Sequence, residues 1–292
     1  MSNTTTLKPD ASASGTFTLG GDLTVRRLGF GAMRITGKGI WGEPKDMDGA
    51  KRLLRRVVEL GIDFIDTADS YGPEVSERLI AEALYPYPKG LVIATKGGLT
   101  RSGPDQWSPN GRPEYLRKCV EQSLLRLRLD HIDLYQLHRF DSKVPAEDSL
   151  GVLKDLQDAG KIRHIGLSEV SVAEIKRAKN TVSIVSVQNL YNLGDRKYDD
   201  VVDYCEKHRL GFIPWFPVAA GELARPGGPL DAAAKRHGAT VSQLALAWLL
   251  HRSPVVLPIP GTSSIAHLEE NTAAASLQLE AGEWKEIEKA LK

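Results

Sequence analysis

The fold is decided by one stretch of the chain, Gly61-Ile62-Asp63-Phe64-Ile65-Asp66-Thr67-Ala68-Asp69-Ser70-Tyr71-Gly72. Its apolar pair Phe64-Ile65 predicts a buried strand that stops at Asp66, and Tyr71 follows on a turn that ends at Gly72. A carboxylate at a strand end and a phenol on the next loop contribute little to packing, whereas both groups can transfer protons. The stretch therefore predicts a strand whose carboxyl end belongs to an active site.

Short runs rich in Val, Ile and Leu recur on both sides of this stretch and predict eight buried strands. They cover Leu28–Phe30, Phe64–Ile65, Leu91–Thr95, Leu134–Leu137, His164–Leu167, Ile184–Val187, Gly211–Pro214 and Val255–Pro258. The runs scarcely alternate between apolar and polar residues, as is typical of parallel strands buried on both faces. Segments with the 3.6-residue period of helices separate them. Eight β/α units in 292 residues favour an α/β fold of the (β/α)8 TIM-barrel type.

A doubly wound sheet is the main alternative fold, and it normally carries a glycine fingerprint after its first strand. The segment Gly29-Phe30-Gly31-Ala32-Met33-Arg34 lacks the third glycine of that fingerprint. The barrel is therefore the favoured interpretation.

The two ends of the chain lie outside the eight repeats. Residues 1–15 are predicted to form a flexible tail, and residues 16–292 a single barrel domain. Two alternating runs around Gly20-Gly21-Asp22 predict an N-terminal β-hairpin over Thr16–Leu19 and Leu23–Val25. A C-terminal tail helix is expected over Ala281–Leu291.

Composition excludes several classes of partner. The chain has 38 basic and 37 acidic residues, so its net charge of +1 gives no electrostatic reason to expect nucleic acid or an anionic membrane. No apolar run approaches the length of a membrane span, and the N-terminus lacks the apolar core of a secretory signal, so a cytoplasmic protein is expected. Cys119 and Cys205 lie in predicted amphipathic helices and are interpreted as buried thiols; no metal site is predicted.

Polar residues finish three adjacent predicted strands, where the active site of a barrel lies. These residues are Asp66, Lys96 and His138, and Tyr71 follows the first of them. A buried ammonium needs a counter-ion, which Asp66 can supply, and a cation beside a phenol is expected to lower its pKa from about 10. Each residue alone has a more ordinary interpretation as a cap, a surface or a packing residue. Together they predict a site that polarises a carbonyl group for hydride attack, with His138 orienting the carbonyl oxygen.

Several motifs now identify a family resemblance. Their order along the chain is Asp66-Thr67-Ala68-Asp69-Ser70-Tyr71-Gly72, Ala94-Thr95-Lys96, Leu134-Tyr135-Gln136-Leu137-His138, Gly160-Lys161-Ile162-Arg163-His164-Ile165-Gly166-Leu167-Ser168, Val187-Gln188-Asn189-Leu190-Tyr191-Asn192, Ile259-Pro260-Gly261-Thr262-Ser263-Ser264 and Leu268-Glu269-Glu270-Asn271. With them the chain resembles an aldo-keto reductase from the first hairpin to the last helix. The segments Trp41-Gly42 and Ile259–Ser264 resemble a bacterial subgroup that includes pyridoxal reductases.

The resemblance implies a reductase that uses NADPH/NADP+, with NADH possible, to convert aldehydes or ketones into alcohols. It assigns Tyr71 as the proton donor, Lys96 and Asp66 as the groups that tune it, and His138 as the orienting residue. The implied cofactor contacts are Ser168, Glu169, Gln188, Trp215, Phe216, Pro217, Gly221, Leu223, Gly261, Thr262, Ser263, His267, Glu270 and Asn271. A helix N-terminus beside the Ser/Thr-rich loop at Gly261 also suits a phosphate.

The chain departs from the family pattern at three points. Glu169 stands where Asn is common, and a carboxylate accepts hydrogen bonds but cannot donate one to an amide oxygen. Trp215 stands where the stacking residue is usually Tyr. Gly261 and His267 stand where many members hold the adenosine 2′-phosphate with Lys and Arg, which predicts a weaker preference for NADPH over NADH.

The loops after the strands are expected to form the substrate pocket. Trp41, Trp107 and Phe140 are its predicted contacts, and the tryptophans favour a flat apolar or aromatic carbonyl compound. On the resemblance alone, pyridoxal is a candidate substrate. A monomer or a weak homo-oligomer is expected.

Two other functions stay open at this point. One is a Schiff-base lyase that uses Lys96, although a lysine paired with Asp66 stays protonated and is a poor nucleophile. The other is a non-enzymatic redox sensor that binds NADP(H), similar to the potassium-channel β subunits that resemble this family.

Overall fold

The computed structural model describes residues 9–218 and 229–290. The strands are β1 Thr16–Leu19, β2 Leu23–Arg26, β3 Phe30–Gly31, β4 Phe64–Asp66, β5 Val92–Gly97, β6 Leu99–Gly103, β7 Gln106–Pro109, β8 Ile132–Leu137, β9 Ile162–Ser168, β10 Ile184–Gln188 and β11 Gly211–Phe212. The α-helices of the described part are α1 Met47–Glu59, α2 Val75–Leu84, α3 Pro113–Leu127, α4 Ala146–Asp158, α5 Val172–Ala178, α6 Asp199–His208, α7 Pro229–Arg236, α8 Val241–Arg252, α9 Ile265–Ala273 and α10 Ala281–Ala290.

A curled parallel sheet forms the centre of the molecule. Seven strands pair in the order β3-β4-β5-β8-β9-β10-β11, and every neighbouring pair is parallel. Helices connect most of the successive strands, and their buried faces pack on the outside of the sheet. This arrangement confirms the predicted α/β barrel fold.

The segment between β11 and β3 closes the barrel without forming a ladder. Phe212 and Val256 make one parallel bridge, and on the other side Gly29 and Gly31 donate to the carbonyl oxygens of Pro258 and Pro260. The prediction of a full strand at Val255–Pro258 is therefore wrong in detail. The reason is that a proline has no N–H with which to continue the pairing.

The predicted N-terminal hairpin is confirmed. Strands β1 and β2 pair in antiparallel register from Thr16↔Arg26 to Leu19↔Leu23. Leu19, Leu23 and Val25 belong to one buried apolar cluster with inward residues of the barrel strands, including Phe64. Since apolar burial excludes water, the hairpin closes one end of the barrel and the functional site lies at the other.

The predicted flexible tail is wrong for residues 10–15. The Asp10 carboxylate caps a short 3-10 helix over Ala11–Ser14, and the Ala11 N–H donates to the Leu60 carbonyl at 3.0 Å. The Ser14 hydroxyl accepts from the Leu28 N–H at 3.0 Å. Because these bonds hold a fully buried Ala11 in the core, the segment is part of the folded domain.

A second hairpin lies where a loop was predicted. Strands β6 and β7 pair in antiparallel register and carry Trp107 to the open end of the barrel. Cys119 and Cys205 are free and buried, as predicted. Across residues 9–218 and 229–290, no helix has the length and apolar character needed to cross a bilayer.

Candidate active site

The strand ends place the predicted catalytic residues at one mouth of the barrel. Asp66 is the last residue of β4, Lys96 lies in β5, and His138 directly follows β8. Ser168 ends β9 and Gln188 ends β10. Because parallel strands point the same way, these five side chains from consecutive strands share one edge.

The Lys96 ammonium is fully buried and all three of its hydrogens have partners. It donates to Asp66 Oδ2 at 2.6 Å, to the Thr67 carbonyl oxygen at 2.8 Å and to the Tyr71 hydroxyl at 3.3 Å. Burial opposes the charge, but the attraction of Asp66 and Tyr71 outweighs it and raises the pKa of Lys96. The amine is therefore a fixed cation and has no free lone pair at neutral pH.

The second oxygen of the Asp66 carboxylate is held by two amides. Gln136 Nε2 donates to Asp66 Oδ1 at 3.0 Å and Gln188 Nε2 donates to it at 2.8 Å. Gln188 Nε2 also lies 3.2 Å from Gln136 Oε1. A buried ion pair is stable only when its remaining donors and acceptors are satisfied, and these amides provide that condition.

The Tyr71 phenol differs from the sequence-based expectation. Burial raises the pKa of Tyr71 above its ordinary value, although Lys96 acts in the opposite direction. The prediction of a lowered pKa is wrong for this structure, because the loss of water disfavours the phenolate more than the ammonium favours it. Tyr71 is consequently protonated at neutral pH, which is the form that donates a proton.

His138 is a neutral imidazole. Burial, followed by the positive charge of Lys96, lowers the pKa of His138 well below its ordinary value. Its Nδ1 lies 3.4 Å from the Ser70 hydroxyl, and its ring packs edge-on against Tyr71 at 5.9 Å between centroids. A neutral imidazole beside the phenol suits hydrogen bonding to a carbonyl oxygen without competing for the proton.

A cavity of about 560 Å³ opens above these groups, a size ordinary for a small-molecule site. The predicted site residues that line it are Asp66, Tyr71, His138, Ser168, Gln188, Trp215, Phe216, Pro217, Gly261 and Trp107. Predicted site residues that do not line it are Lys96, Glu169, Thr262, Ser263, His267, Glu270, Asn271, Trp41 and Phe140. Gly221 and Leu223 lie outside the described residues.

Ser168 and Gln188 present a complementary donor and acceptor to this cavity. The Ser168 hydroxyl accepts from Arg139 Nη1 at 2.9 Å, so its own hydrogen remains available. The Gln188 amide hydrogens are engaged with Asp66 and Gln136, so its oxygen remains available as an acceptor. A primary carboxamide needs one donor and one acceptor, so the pair fits the carboxamide of a nicotinamide.

Glu169 serves a purpose that the sequence did not predict. Its Oε1 accepts from the Trp215 indole Nε1 at 2.7 Å and from the Leu190 N–H at 2.6 Å, while Oε2 lies 3.3 Å from the Tyr198 hydroxyl. The carboxylate is therefore turned away from the cavity. It fixes the plane of Trp215, the ring expected to stack on a nicotinamide.

The predicted adenosine side is more exposed. Gly261 and Ser263 are exposed and precede helix α9, whose N-cap Ser264 accepts from the His267 N–H at 3.5 Å. Thr262 is turned inward and accepts from the Ser264 N–H at 3.0 Å. The exposed N-terminus of α9 is a natural anion site, because its first N–H groups point outward.

Two of the predicted contacts on α9 are turned into the protein. The Glu270 carboxylate accepts from the Thr240 hydroxyl at 2.7 Å, which ties α9 to the start of α8. Asn271 is 9% exposed, whereas the His267 side chain lies on the surface. Of this trio, His267 is the residue free to meet a phosphate.

Arg101 holds the pocket wall together. Its guanidinium packs 3.5 Å from the Trp107 ring centroid and 5.6 Å from that of Trp41. It also donates to the carbonyl oxygens of Ile40 and Ser70, both at 2.8 Å. Trp41 thus supports the wall rather than lining it.

Phe140 also lies outside the cavity, because it packs against the apolar core. Sequence reasoning missed several contributors to the site, among them Arg34, Arg101, Gln136 and Arg139. Gln136 was detectable, since it lies two residues before His138 and a strand repeats its face every two residues. Arg139 was detectable as the residue that directly follows His138.

The chain matches the model of the aldo/keto reductase family over residues 27–292. An uncharacterised oxidoreductase of Schizosaccharomyces pombe is 57% identical over 270 residues, which is 92% of this chain and 88% of that protein. The pyridoxine 4-dehydrogenase of Escherichia coli is 43% identical over 273 residues, 91% of this chain and 95% of that protein.

Solved structures give the same comparison in three dimensions. A glycerol dehydrogenase from Gluconobacter oxydans superimposes with a TM-score of 0.86 at 28% identity, covering 96% of this chain and 95% of that one. An aldo-keto reductase from Klebsiella pneumoniae in complex with NADPH superimposes with a TM-score of 0.79 at 26% identity, covering 94% of both chains.

Proposed function

The chain belongs to the aldo/keto reductase family, and from that premise we propose that it reduces a small aldehyde or ketone to an alcohol with NADPH. The observation that carries this proposal is the buried contact of Lys96 Nζ with the Tyr71 hydroxyl at 3.3 Å, beside Asp66 and at the floor of the cavity. NADPH, when bound, supplies a hydride to the carbonyl carbon and becomes NADP+.

Three side chains carry out the other steps of the reduction: proton donation, stabilisation of the phenolate and orientation of the carbonyl oxygen. Tyr71 is protonated and gives its proton to the carbonyl oxygen, which the hydride makes basic. Lys96, held as a cation by Asp66, stabilises the phenolate that remains. His138 is neutral and orients the carbonyl oxygen by hydrogen bonding. The carbonyl compound therefore gains one hydride and one proton and becomes the alcohol, and the Tyr71 phenolate recovers its proton from water.

The free hydrogen-bond donors and acceptors that line the cavity indicate which residues hold the cofactor. Ser168 and Gln188 bind the carboxamide, and Trp215 stacks on the nicotinamide ring in the orientation that Glu169 fixes. Gly261 lines the cavity where its backbone closely approaches that of Gly31, and the N-terminus of α9 receives a phosphate.

Arg34 supplies the cation that the family's usual phosphate clamp would provide. It is exposed, lines the cavity, and its Cγ lies 3.6 Å from the position that a Cβ on Gly261 would occupy. We assign the adenosine 2′-phosphate to Arg34 with His267, which supports NADPH over NADH. Arg34→Met is expected to weaken NADPH binding more than NADH binding, as measured by quenching of tryptophan fluorescence.

The substrate class follows from the wall of the cavity. Leu99, Trp107 and Pro109 give it an apolar side, which suits a flat or aromatic carbonyl compound. Pyridoxal is the first compound to test, because a relative 43% identical to the chain is a pyridoxine 4-dehydrogenase.

The other functions have less support. A Schiff-base lyase needs a free amine, whereas every hydrogen of the Lys96 ammonium has an acceptor and its pKa is raised. A redox sensor needs no proton donor, whereas Tyr71, Lys96 and His138 lie together at the cavity.

The test is a panel of carbonyl compounds assayed by consumption of NADPH and NADH, with wild type and Tyr71→Phe. Turnover by the wild type and a loss of about 10²–10⁴-fold in Tyr71→Phe are expected, since the proton donor is removed. NADPH should still quench the tryptophan fluorescence of the variant. Tight NADPH binding without turnover of any compound would favour the redox sensor.

Other features stay predictions from the sequence. They are the cytoplasmic location, the monomeric or weakly oligomeric state and the organisation as a single domain. Size-exclusion chromatography with light scattering measures the oligomeric state directly.

A further inference from the structure

A second cation lies in the wall of the catalytic cavity. Arg139 directly follows His138 after strand β8, is half-buried, and lines the same cavity as Tyr71 and Trp107. Burial lowers the pKa of its guanidinium, but an arginine stays charged at neutral pH. A positive charge is therefore held partly out of water beside the position of the reacting carbonyl.

Arg139 is anchored through one of its nitrogens. Nη1 donates to the His138 carbonyl oxygen at 2.6 Å and to the Ser168 hydroxyl at 2.9 Å. No carboxylate in residues 9–218 or 229–290 forms an ion pair with it. A guanidinium carries five N–H donors, so Nε and Nη2 keep donors that no described residue uses.

The carboxylates around Arg139 are occupied by other groups. Asp66 holds Lys96 and two glutamine amides. Glu169 attracts Arg139 at a distance, but its oxygens accept from Leu190, Trp215 and Tyr198. Among the residues that the structure describes, the charge of Arg139 is thus left without a bonded counter-ion, while the fully buried cation of the mouth, Lys96, is paired.

The cofactor phosphates are not the counter-ion in this arrangement. If the proposed function is right, Ser168 and Gln188 mark the nicotinamide end, which carries no phosphate, and Gly261 with α9 marks the phosphate end. Arg139 bonds to Ser168 and therefore lies at the nicotinamide end, where the substrate binds.

The geometry points to Arg139 as the binding site for an anionic oxygen on the substrate, close to the carbonyl that is reduced. The inference rests on the proposed reductase function and narrows its substrate class to carbonyl compounds that carry a carboxylate or an ionised phenol. The planar guanidinium fits such oxygens with paired hydrogen bonds. Leu99, Trp107 and Pro109 face the apolar part of the same molecule.

A matched pair of substrates tests this inference. 3-Formylbenzoate and its methyl ester have the same aldehyde and ring, but only the first is an anion. Wild type is expected to show a lower KM for the anion. Arg139→Met should raise that KM by about 10–100-fold and change the KM of the ester by less than about 3-fold, because a hydrogen bond to a charged group is lost in one case alone. Arg139→Lys should recover part of the loss.

Binding without turnover gives a second readout. Calorimetric titration of the NADP+-loaded protein with isophthalate should show binding to wild type and loss of about 10-fold or more in affinity in Arg139→Met. Benzamide, which is neutral, should bind both forms alike. NADPH affinity, followed by fluorescence quenching, should fall by less than the affinity for isophthalate, because Arg139 contacts the cofactor site only through Ser168.

Each contrary result has a distinct meaning. Equal rises of both KM values, or a loss of NADPH affinity in Arg139→Met as large as the loss of isophthalate affinity, would show that Arg139 acts mainly on the cofactor through Ser168 and would overturn the inference. Equal KM values for acid and ester in wild type would overturn it too. Failure to turn over either aldehyde, with isophthalate bound as described, would instead reject the reductase function.

Discussion

Two acid–base clusters lie back to back on strand β5. The mouth cluster consists of Lys96, Asp66, Tyr71, Gln136 and Gln188, and faces the cavity. The rear cluster consists of Thr95, Glu77, Arg126, Asp69 and Cys119, and lies between the sheet and helices α2 and α3. Thr95 and Lys96 are neighbours whose side chains point to opposite faces, as in any strand.

The clusters differ in how completely their carboxylates are satisfied. Both oxygens of Asp66 accept strong hydrogen bonds, and a cation is one of the donors. In the rear cluster Glu77 is fully satisfied by Arg126 and Thr95, both at 2.6 Å. Asp69 is buried, and its Oδ1 has no hydrogen-bond partner in the described part of the chain. Burial, followed by repulsion from Glu77, raises the pKa of Asp69 to about 7.

Access to the cavity, rather than a buried ion pair, distinguishes the cluster that can act on a substrate from the cluster that stabilises the fold. Both clusters contain a buried ion pair, but only the mouth cluster has residues that line the cavity, namely Asp66, Tyr71 and Gln188. The rear cluster links α2 and α3 to β5, so it holds the loop on which Asp69 and Tyr71 are carried. Variants that disrupt one cluster at a time therefore separate effects on turnover from effects on the free energy of unfolding.

Lys96→Met is expected to have the largest effect. It leaves Asp66 buried without its counter-ion, which costs about 3–5 kcal/mol in free energy of unfolding. It also removes the charge that stabilises the Tyr71 phenolate, so turnover should fall by about 10²–10⁴-fold. Urea unfolding and NADPH consumption measure the two effects.

The double variant Asp66→Asn with Lys96→Met is the control for that prediction. It removes both charges, so the free energy of unfolding should recover most of its loss while turnover stays low. A double variant with restored turnover would show that the ion pair is merely structural.

Arg126→Met should destabilise the protein by a similar amount without removing a catalytic group. Glu77 is 0% exposed and would lose its cation, at a cost of about 3–5 kcal/mol. The kcat of the folded fraction should change by less than about 3-fold, since no atom of Arg126 reaches the cavity. Arg117→Met on the same helix is the matched control, because its ion pair is exposed and 3.6 Å long.

Asp69→Asn should make stability less dependent on pH. The pKa of Asp69 is about 7 in the folded protein and near 3.8 when unfolded. Between those values only the unfolded state has released its proton, so wild-type stability falls as pH rises through this window. The asparagine side chain of the variant cannot ionise. The variant should therefore gain stability relative to wild type between about pH 4 and about pH 7, by a few kcal/mol at most.

Urea unfolding at about pH 5 and about pH 8 measures that difference. His138 acts in the opposite sense: its lowered pKa means that stability is full above about pH 6.5 and falls as the unfolded state gains a proton below it. Since His138 is present in both proteins, its contribution cancels in the comparison. A stability difference that is constant with pH would contradict the assignment of Asp69.

Much of this arrangement was predictable because strand ends are visible in sequence. Asp66, Lys96 and His138 follow apolar runs, and the barrel brings such ends together. The Tyr71 pKa was not predictable, since its direction depends on how burial compares with the pull of Lys96. Only the folded structure fixes that balance.

Long-range partners were the other hidden feature. Glu169 is 46 residues from the indole that it orients, and Arg101 is 61 residues from the Ile40 carbonyl that it holds. Neither pair has a spacing that signals contact. The prediction of a strand at Val255–Pro258 was wrong for a local reason, Pro258, which was visible in the sequence.

Thr95→Val is expected to have the smallest effect. It tests whether the two clusters are independent, because Thr95 of the rear cluster is next to Lys96 of the mouth cluster in β5. The substitution keeps the shape of the side chain and removes only the hydroxyl that donates to Glu77 at 2.6 Å. Loss of a buried hydrogen bond to a charged group costs about 1.5–3 kcal/mol. Because the lost group lies on the rear face, kcat and the KM for NADPH should stay within about 2-fold of wild type. A drop in kcat of about 10-fold, with the protein still folded by circular dichroism, would mean that the two clusters act as one unit through the backbone of β5.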